Sequence, residues 1–330
     1  MKRRVFLMGA AIAPLTLRSK SLFAESLTSP PPSTRRLVFG LPTSAVGAKW
    51  AQGVLNIMNN RFNYDYSLEV LESRSTLKAT ETVKASEPDG RTLLQVQSSS
   101  MTLFPSTYSN LKYDPIIDFT PLAVMGEYTF TLTIGPAVPA SVHDVNSYIA
   151  WIQAQPDYRD LGFALYGSQS HLIALMLARE KEVALRVQSY NNAEAMLGDL
   201  QNGTLAACIT MAGTALSLTK NCRSIAVSSP QRLEVWPDVA TFSEQGLKTL
   251  TMQGWYGWFA PAHLPNEIAK KLREQIIDIQ TVPEYLALQK SLLLTSSFLA
   301  PSQILERMNL ELNEYKNLVE SYGLMKRSEM

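Results

Sequence analysis

The chain of 330 residues is long enough for two domains with separate cores, and its apolar share of 46% and charged share of 18% are those of an ordinary globular protein. Five of its 30 basic residues and none of its 29 acidic residues fall within residues 1–24, so the rest of the chain has a net charge of −4. This charge excludes the basic surface that is typical of proteins that bind nucleic acid or an anionic membrane.

The first 24 residues have the pattern of an export signal peptide. A basic start at Lys2-Arg3-Arg4 precedes an apolar run, Val5 to Leu17, that is too short to span a bilayer. The segment Arg3 to Leu7 also matches the twin-arginine pattern R-R-x-F-L, and the alternative is an ordinary secretory signal with a chance arginine pair. We therefore expect a soluble periplasmic protein, joined to its signal by a flexible proline-rich tether at residues 25–34.

Beyond residue 35, short apolar runs that predict strands alternate with helical patterns. The predicted strands are 37–39, 67–71, 92–96, 161–165, 205–211 and 224–227. The first predicted helix buries Trp50, Val54 and Met58, and the second begins at Ser141 to Asp144 and ends near Pro156. The third spans residues 171–178. The last two carry Ile268 to Ile276 and Leu305 to Val319, and the final helix ends at Gly323. This alternation predicts an α/β fold in which helices cover both faces of parallel sheets.

Two predicted strand-to-helix loops are candidate ligand sites. They are Pro42 to Gly47 and Tyr166 to His171, and both are rich in small or hydroxyl side chains. In parallel sheets, ligands bind beyond the carboxyl ends of the strands, where helix N-termini direct backbone N–H groups outward. The alternative is that these serines and threonines simply cap helices.

Residues suited to catalysis or metal binding are sparse. The three histidines, His143, His171 and His263, form no H-E-x-x-H motif, and no C-x-x-C motif is present. Ser168 and Ser170 lie beside His171, but neighbouring side chains at a helix start usually point apart, and the segment does not match G-x-S-x-G. We therefore predict no enzyme activity, no metal and no cofactor, with an exported hydrolase as the alternative.

The two cysteines of the chain are Cys208 and Cys222. An even number in an oxidising compartment permits one disulfide, and two buried thiols are the alternative. The sequence leaves both open, because a disulfide requires Cα atoms within about 7 Å of one another.

Six segments carry motifs that occur in the same order in one known family. They are Pro88 to Leu94 (P-D-G-x-T-L-L), Tyr113 to Pro121 (Y-D-P-x-x-D-F-x-P), Gly167 to Leu172 (similar to G-x-G-x-x-H-L), Ala226 to Arg232, Pro237 to Gly246 (similar to P-D-V-P-T-x-x-E-x-G) and Trp255 to Pro261 (W-x-G-x-x-A-P). Each motif alone is weak, but together they cover nearly the whole mature chain. On these segments the chain resembles the tripartite tricarboxylate transporter receptors, also called Bug-type solute-binding proteins.

The resemblance implies a two-lobed periplasmic-binding-protein fold of the Venus flytrap kind, type II-like, with a mainly parallel sheet flanked by helices in each lobe. It implies a first lobe of residues 35–130 plus 256–330, a second lobe of residues 131–255, and two strands that cross between them. Such proteins bind carboxylates, amino acids or aromatic acids between the lobes. They deliver the ligand to a membrane transporter or, in some cases, to a sensor protein. We expect a monomer.

The chain departs from the family at the ligand. The family's first loop, P-F-P-x-G-G-x-x-D, is Gly40 to Ala48 here, with Ser44-Ala45 in place of two glycines and Ala48 in place of the acid. Loss of the acid removes a partner for an ammonium group, so an amino-acid ligand is less expected than a plain carboxylate. Loss of the ancestral ligand altogether is the alternative.

These patterns predict a solute-binding protein that captures a small organic anion in a cleft between its lobes. The candidate ligand-binding residues are Thr43, Ser44, Ala45, Val46, Tyr166, Ser168, Gln169, Ser170, His171, Tyr190, Asn191 and Thr210. Tyr166, Tyr190 and Trp255 are candidates to pack against the body of the ligand, and core packing is the alternative for each.

Overall fold

The computed structural model describes residues 35–73, 76–218 and 221–328. The predicted signal peptide and tether lie outside the described residues. In the part of the chain that is described, none of the helices combines the length and the apolar character that a bilayer-spanning segment needs.

The described strands, in chain order, are β1 (Arg36–Phe39), β2 (Ser67–Val70), β3 (Thr92–Gln97), β4 (Phe119–Ile134), β5 (Asp160–Ala164), β6 (Arg186–Tyr190), β7 (Ala207–Met211), β8 (Arg223–Val227), β9 (Gln253–Pro261) and β10 (Leu294–Thr295). The described α-helices are α1 (Val46–Phe62), α2 (Leu77–Lys84), α3 (Ser98–Thr102), α4 (Phe104–Thr107), α5 (Val145–Ala154), α6 (Gln169–Glu180), α7 (Ala193–Asn202), α8 (Ala212–Ala215), α9 (Asn266–Gln280), α10 (Pro283–Ser291) and α11 (Pro301–Ser321). All six strands expected from the sequence are present within a residue or two.

The strands form a continuous order, β2-β1-β3-β9-β4-β7-β5-β6, with β8 and β10 also paired to β4. At one end β2, β1 and β3 are parallel, and at the other end β6, β5 and β7 are parallel. Between them, β9 and β4 run antiparallel to each other and to their outer neighbours. The protein is therefore a mixed α/β fold with two parallel halves joined by two crossing strands, as expected for a two-lobed binding protein.

The strand β4 links the two halves because its two ends have different partners. Residues Phe119 to Thr129 pair with β9, whereas Phe130 to Ile134 pair with β7. The predicted lobe boundaries, after residue 130 and before residue 256, fall inside β4 and β9.

The helix α1 shows how an apolar stripe fixes an element onto the sheet. Trp50, Val54 and Met58 recur at helical spacing and are fully buried, and the Trp50 ring meets Tyr285 of α10 edge to face at 4.8 Å. The helix ends at Phe62, and Asn63 is its C-cap. Asn63 has a left-handed backbone conformation, with φ of 52°, and its backbone N–H donates to the carbonyl of Asn59.

One expected helix start needs correction, and the two cysteines take one of the states that the sequence left open. The helix expected to open at Ser141 begins at Val145, because Asp144 is its N-cap and forms a capping box with Ser147. Cys208 and Cys222 are thiols in the structure rather than a disulfide. Cys208 is buried in an apolar cluster against which Cys222 packs, and burial raises the pKa of the Cys208 thiol.

Candidate functional site

The first candidate loop joins β1 to α1. Thr43 and Ser44 are exposed, and Ala45, in an extended conformation, is the N-cap of α1 without a side-chain hydrogen bond. Within the described residues, the backbone N–H groups of Val46 and Gly47 donate to no protein acceptor. This helix start therefore presents two uncommitted donors beside two exposed hydroxyl side chains.

The close packing behind this loop requires glycine. A Cβ atom at Gly47 would lie 2.6 Å from the ring of Phe39 and 2.7 Å from the ring of Tyr256. The carbonyl of Gly47 accepts a 2.6 Å hydrogen bond from the buried side chain of Gln95, whose oxygen in turn accepts from the Trp258 indole at 3.1 Å. These contacts fix the position of the first turn of α1.

The second candidate loop joins β5 to α6. Leu165 and Gly167 have positive φ values, of 66° and 73°, and they turn the chain so that Ser168 becomes the N-cap of α6. The Ser168 hydroxyl accepts from the backbone N–H of His171 at 3.3 Å, lies 2.9 Å from the Ser170 hydroxyl, and donates to the carbonyl of Ala164 at 3.1 Å. Ser168 thus acts as a helix cap.

The amides at the start of α6 resemble those at the start of α1. Among the described residues, the backbone N–H groups of Gln169 and Ser170 have no protein acceptor. The second loop therefore also offers two uncommitted donors, and the hydroxyl of Ser170 adjoins them.

His171 organises the second loop. Its ring stacks on Phe163 at 4.3 Å and 7°, and lies 4.7 Å from the ring of Tyr166. Its Nδ1 atom accepts a 3.2 Å hydrogen bond from the backbone N–H of Gly167. Burial, and to a lesser extent the charge of Arg327, lower the pKa of His171 to about 4, so the ring is neutral at neutral pH.

The side chain of Gln169 turns away from the loop into a buried network. Its oxygen accepts from the Tyr128 hydroxyl at 3.2 Å and from the Ser98 hydroxyl at 3.4 Å. Its nitrogen donates to the Tyr315 hydroxyl at 2.5 Å and to the carbonyl of Gln253 at 3.3 Å. Gln169 is 2% exposed, so its amide group is committed to joining α6 to the crossing strands and α11.

The crossing strands connect the two loops through a pair of tyrosine rings. Tyr256, which packs against Gly47, lies 4.9 Å from the ring of Tyr128, and Tyr128 donates to Gln169. A Cβ atom at Gly213, at the start of α8, would lie 3.4 Å from a methyl group of Val46. Gly47 of the first loop and Gln169 of the second therefore contact adjoining tyrosine rings of the crossing strands.

Three of the predicted ligand-binding residues lie outside the two candidate loops. Tyr190 donates to Asp199 of α7 at 3.0 Å and packs against the cluster that holds Cys208. This is the core-packing alternative, and burial raises the pKa of Tyr190 to about 12. Asn191 is exposed beyond β6, while Thr210 is buried on β7 opposite Thr131 of β4.

Two surface cavities lie away from both loops. One of about 450 Å³ is lined by side chains that include Cys222 and Trp236, and one of about 400 Å³ is lined by side chains that include Tyr66 and Lys271. Neither cavity is lined by a candidate ligand-binding residue. The candidate loops pack instead against the crossing strands and each other's lobe.

Several residues of this region are not indicated by the sequence. Ser98, Tyr128, Tyr315 and Arg327 lie outside the two predicted loops, and Tyr256 belongs to the family motif at Trp255 to Pro261. Their roles arise from pairing between residues far apart in the chain, which no local pattern indicates. In the described residues, no group of three or more histidine, cysteine or acidic side chains is arranged to hold a metal ion.

Comparison with known protein families identifies a receptor family. The model described as the tripartite tricarboxylate transporter family receptor matches residues 71–324. A Pseudomonas sp. (strain P51) protein, named UPF0065 protein in tcbD-tcbE intergenic region, is 22% identical over 329 residues, or 98% of this chain and 95% of that protein. An Agrobacterium vitis protein, named UPF0065 protein in the TAR-I ttuE-ttuC' intergenic region, is 28% identical over 204 residues, which span 61% of this chain and 58% of that protein.

Solved structures of periplasmic binding proteins share the fold. The periplasmic binding protein BugD superposes with a TM-score of 0.80 at 20% identity, over 90% of this chain and 100% of that chain. MatC (Rpa3494) from Rhodopseudomonas palustris with bound malate gives 0.77 at 21% identity, over 88% and 99% of the two chains. R. palustris Rpa4515 with adipate gives 0.83 at 19% identity, over 90% and 99%.

Proposed function

The chain belongs to the tripartite tricarboxylate transporter family of receptors, and from that premise we propose that it captures a small organic anion between its two lobes. The observation that carries the proposal is a pair of helix starts, in α1 and α6, each with two backbone N–H groups that no described residue accepts. An anion held there would satisfy donors that the helices cannot satisfy themselves. Each helix dipole also favours negative charge at that end.

The ligand class that fits best is a plain carboxylate. Two proteins of the same fold are described with malate and adipate bound. Ala48 stands where the family motif has an acid, so this chain lacks that partner for an ammonium group. The exposed Ser44 hydroxyl supplies a donor where the family motif has a glycine, and the exposed Thr43 hydroxyl lies next to it in the chain.

The geometry of the second loop supports a receptor rather than a hydrolase. The Ser168 hydroxyl is committed to capping α6, and the Nδ1 atom of His171 accepts from a backbone amide. A serine nucleophile needs a histidine nitrogen that accepts its proton, and neither serine hydroxyl is hydrogen-bonded to His171 through such a nitrogen.

The proposed mode of capture is closure of two lobes, residues 35–130 with 256–330 and residues 131–255, around the anion. Gln169 already ties α6 to the other lobe in the arrangement described here. A ligand that contacts both helix starts would bind a closed form better than an open one and so shift the population toward the closed form. The loaded protein would act in the periplasm and present the ligand to membrane transporter subunits.

A thermal-shift screen of the purified protein tests the proposal. Malate, adipate and benzoate are the plain acids, and glutamate is the amino-acid comparison. A plain acid present at about 100 times its dissociation constant should add about 2.7 kcal/mol to the free energy of unfolding. If none of these acids raises the melting temperature, the proposed function is wrong. A shift with glutamate alone would contradict the inference from Ala48.

A further inference from the structure

The C-terminal tail of the chain is pinned across one lobe. After α11, Gly323 turns the backbone with a φ of 61°, and residues 324–328 run beside the segment that follows α4. The N–H of Arg327 donates to the carbonyl of Thr107 at 2.8 Å, and the N–H of Ser109 donates to the carbonyl of Arg327 at 2.9 Å. The backbone of Arg327 is therefore held from both sides.

The side chain of Arg327 reaches the other lobe. Its guanidinium carbon lies 4.0 Å from the centre of the Tyr166 ring, in the loop that starts α6. The backbones of the two lobes approach closely at the same place, since a Cβ atom at Gly167 would lie 3.0 Å from Thr107. The influence of Arg327 on the pKa of His171 agrees with this position.

Among the described residues, the guanidinium of Arg327 contacts the Tyr166 ring and forms no ion pair and no side-chain hydrogen bond. A guanidinium that stacks on an aromatic ring keeps its N–H donors in its own plane, directed away from the ring, in the spacing that a carboxylate accepts with two oxygens. Tyr166 thus orients the group without using its donors.

We propose that Arg327 is a specificity-determining residue, which binds one carboxylate of a dianionic ligand while a helix start holds the other. This inference rests on the proposed function and deepens it, because it makes the ligand a dicarboxylate rather than a monocarboxylate. The matched family region ends at residue 324, so Arg327 lies beyond the part of the chain that the family model describes.

The test compares adipate with hexanoate, a six-carbon acid that lacks the second carboxylate, by calorimetric titration of the purified full chain. The wild type should bind adipate at least tenfold more tightly than hexanoate. Arg327→Gln should lose about tenfold or more in adipate affinity and little in hexanoate affinity, since a hydrogen bond to a charged group is removed for one acid only. Arg327→Lys should fall between the two, because a lysine keeps the charge and loses the two-pronged geometry.

Arg179 provides the matched control. It also stacks on a tyrosine, Tyr322, at 5.2 Å, but it lies at the opposite end of α6 from Tyr166. Arg179→Gln removes the same charge and should leave both affinities unchanged. If Arg327→Gln lowers both affinities equally, Arg327 acts by holding the lobes together and the inference is wrong. If it lowers neither affinity, Arg327 is a surface residue without a role in binding and the inference is also wrong. A wild type that binds hexanoate as well as adipate overturns the inference but leaves the proposed function standing, whereas a wild type that binds no acid overturns both.

Discussion

The amide of Gln169 donates a 2.5 Å hydrogen bond to the hydroxyl of Tyr315, and this bond joins the first turn of α6 to the last helix of the chain. Both side chains are almost fully buried. Tyr128 and Ser98 complete the network on the oxygen of Gln169. A buried polar group is costly unless it is paired, so this network stabilises the contact of α6 with β4 and α11.

Replacing Gln169 by leucine should therefore weaken both stability and closure. The change leaves the buried Tyr315 hydroxyl without its partner, and we expect a loss of about 2 kcal/mol in the free energy of unfolding. Without ligand, small-angle X-ray scattering should give a larger radius of gyration than for the wild type. The same substitution at the exposed Gln188 is the control. An unchanged radius and unchanged stability in Gln169→Leu would show that the network does not hold the lobes.

Gly47 should be intolerant of a methyl group. An alanine there would place its Cβ atom 2.6 Å from Phe39 and 2.7 Å from Tyr256, both in the packed core. We expect Gly47→Ala to lower the free energy of unfolding in urea by about 1–3 kcal/mol, the usual cost of overpacking. It should also weaken anion binding, because the first turn of α1 must shift.

Gly198 of α7 is the matched control for this change. A Cβ atom there meets nothing within 4 Å, and the residue is exposed on a helix. Gly198→Ala should raise the free energy of unfolding by about 0.5–1 kcal/mol, since alanine favours helix more than glycine does. Equal effects of the two substitutions would contradict the packing described around Gly47.

The elements that the sequence predicted, six of the ten described strands and five of the eleven described α-helices, are those with a clear local pattern. The stripe of Trp50, Val54 and Met58 predicts α1, and the hydroxyl-rich segment from Ser168 predicts the start of α6. The predicted start of α5 is wrong, because an S-x-x-D pattern at Ser141 lies three residues before the D-x-x-S capping box that the helix uses. The backbone N–H of Val145, the first residue of α5, also donates to the side chain of Gln245 at 2.8 Å, a contact that no local pattern indicates.

The direction of side chains at the site could not be predicted in the same way. Gln169 turns inward because its partners, Tyr128 and Tyr315, lie 41 and 146 residues away in the chain. Tyr190 faces α7 because successive side chains of a strand point to opposite faces of the sheet. The sequence does not give the register of β6, so it does not show which face Tyr190 takes. Arg327 lies over the Tyr166 ring because the tail that carries it pairs with Thr107 and Ser109, which are more than 200 residues earlier in the chain.

A negative charge at the first loop should abolish anion binding. Ser44 is exposed immediately before the N-cap of α1, so an aspartate there would place a carboxylate beside the uncommitted donors of Val46 and Gly47. We expect Ser44→Asp to lower adipate affinity at least tenfold in calorimetric titration, through repulsion and competition for these donors. Ser44→Asn has the same shape without the charge and should retain most of the affinity. Undiminished binding by the aspartate variant would place the site elsewhere.

The buried ring of His171 should make stability depend on pH. Its pKa is lowered to about 4 in the folded protein, mainly by burial, while an unfolded histidine has its ordinary value near 6.5. Between these values the unfolded chain binds more protons, so the free energy of unfolding falls as the pH falls from about 6.5 to about 4 and this loss ends below that range. The free energy of unfolding changes by at most about 1.4 kcal/mol per pH unit from this one group, and partial solvation of the ring reduces the total loss of stability to roughly 2–3 kcal/mol.

Urea unfolding of His171→Asn at pH 7 and pH 4.5, compared with the wild type, measures this contribution, because the other titrating groups are common to both proteins. The variant should lose less stability than the wild type between the two pH values, even if it is less stable at pH 7 for want of an acceptor for the Gly167 amide. His143→Asn removes a surface imidazole instead, and an equal change in both variants would contradict a special role for the buried ring.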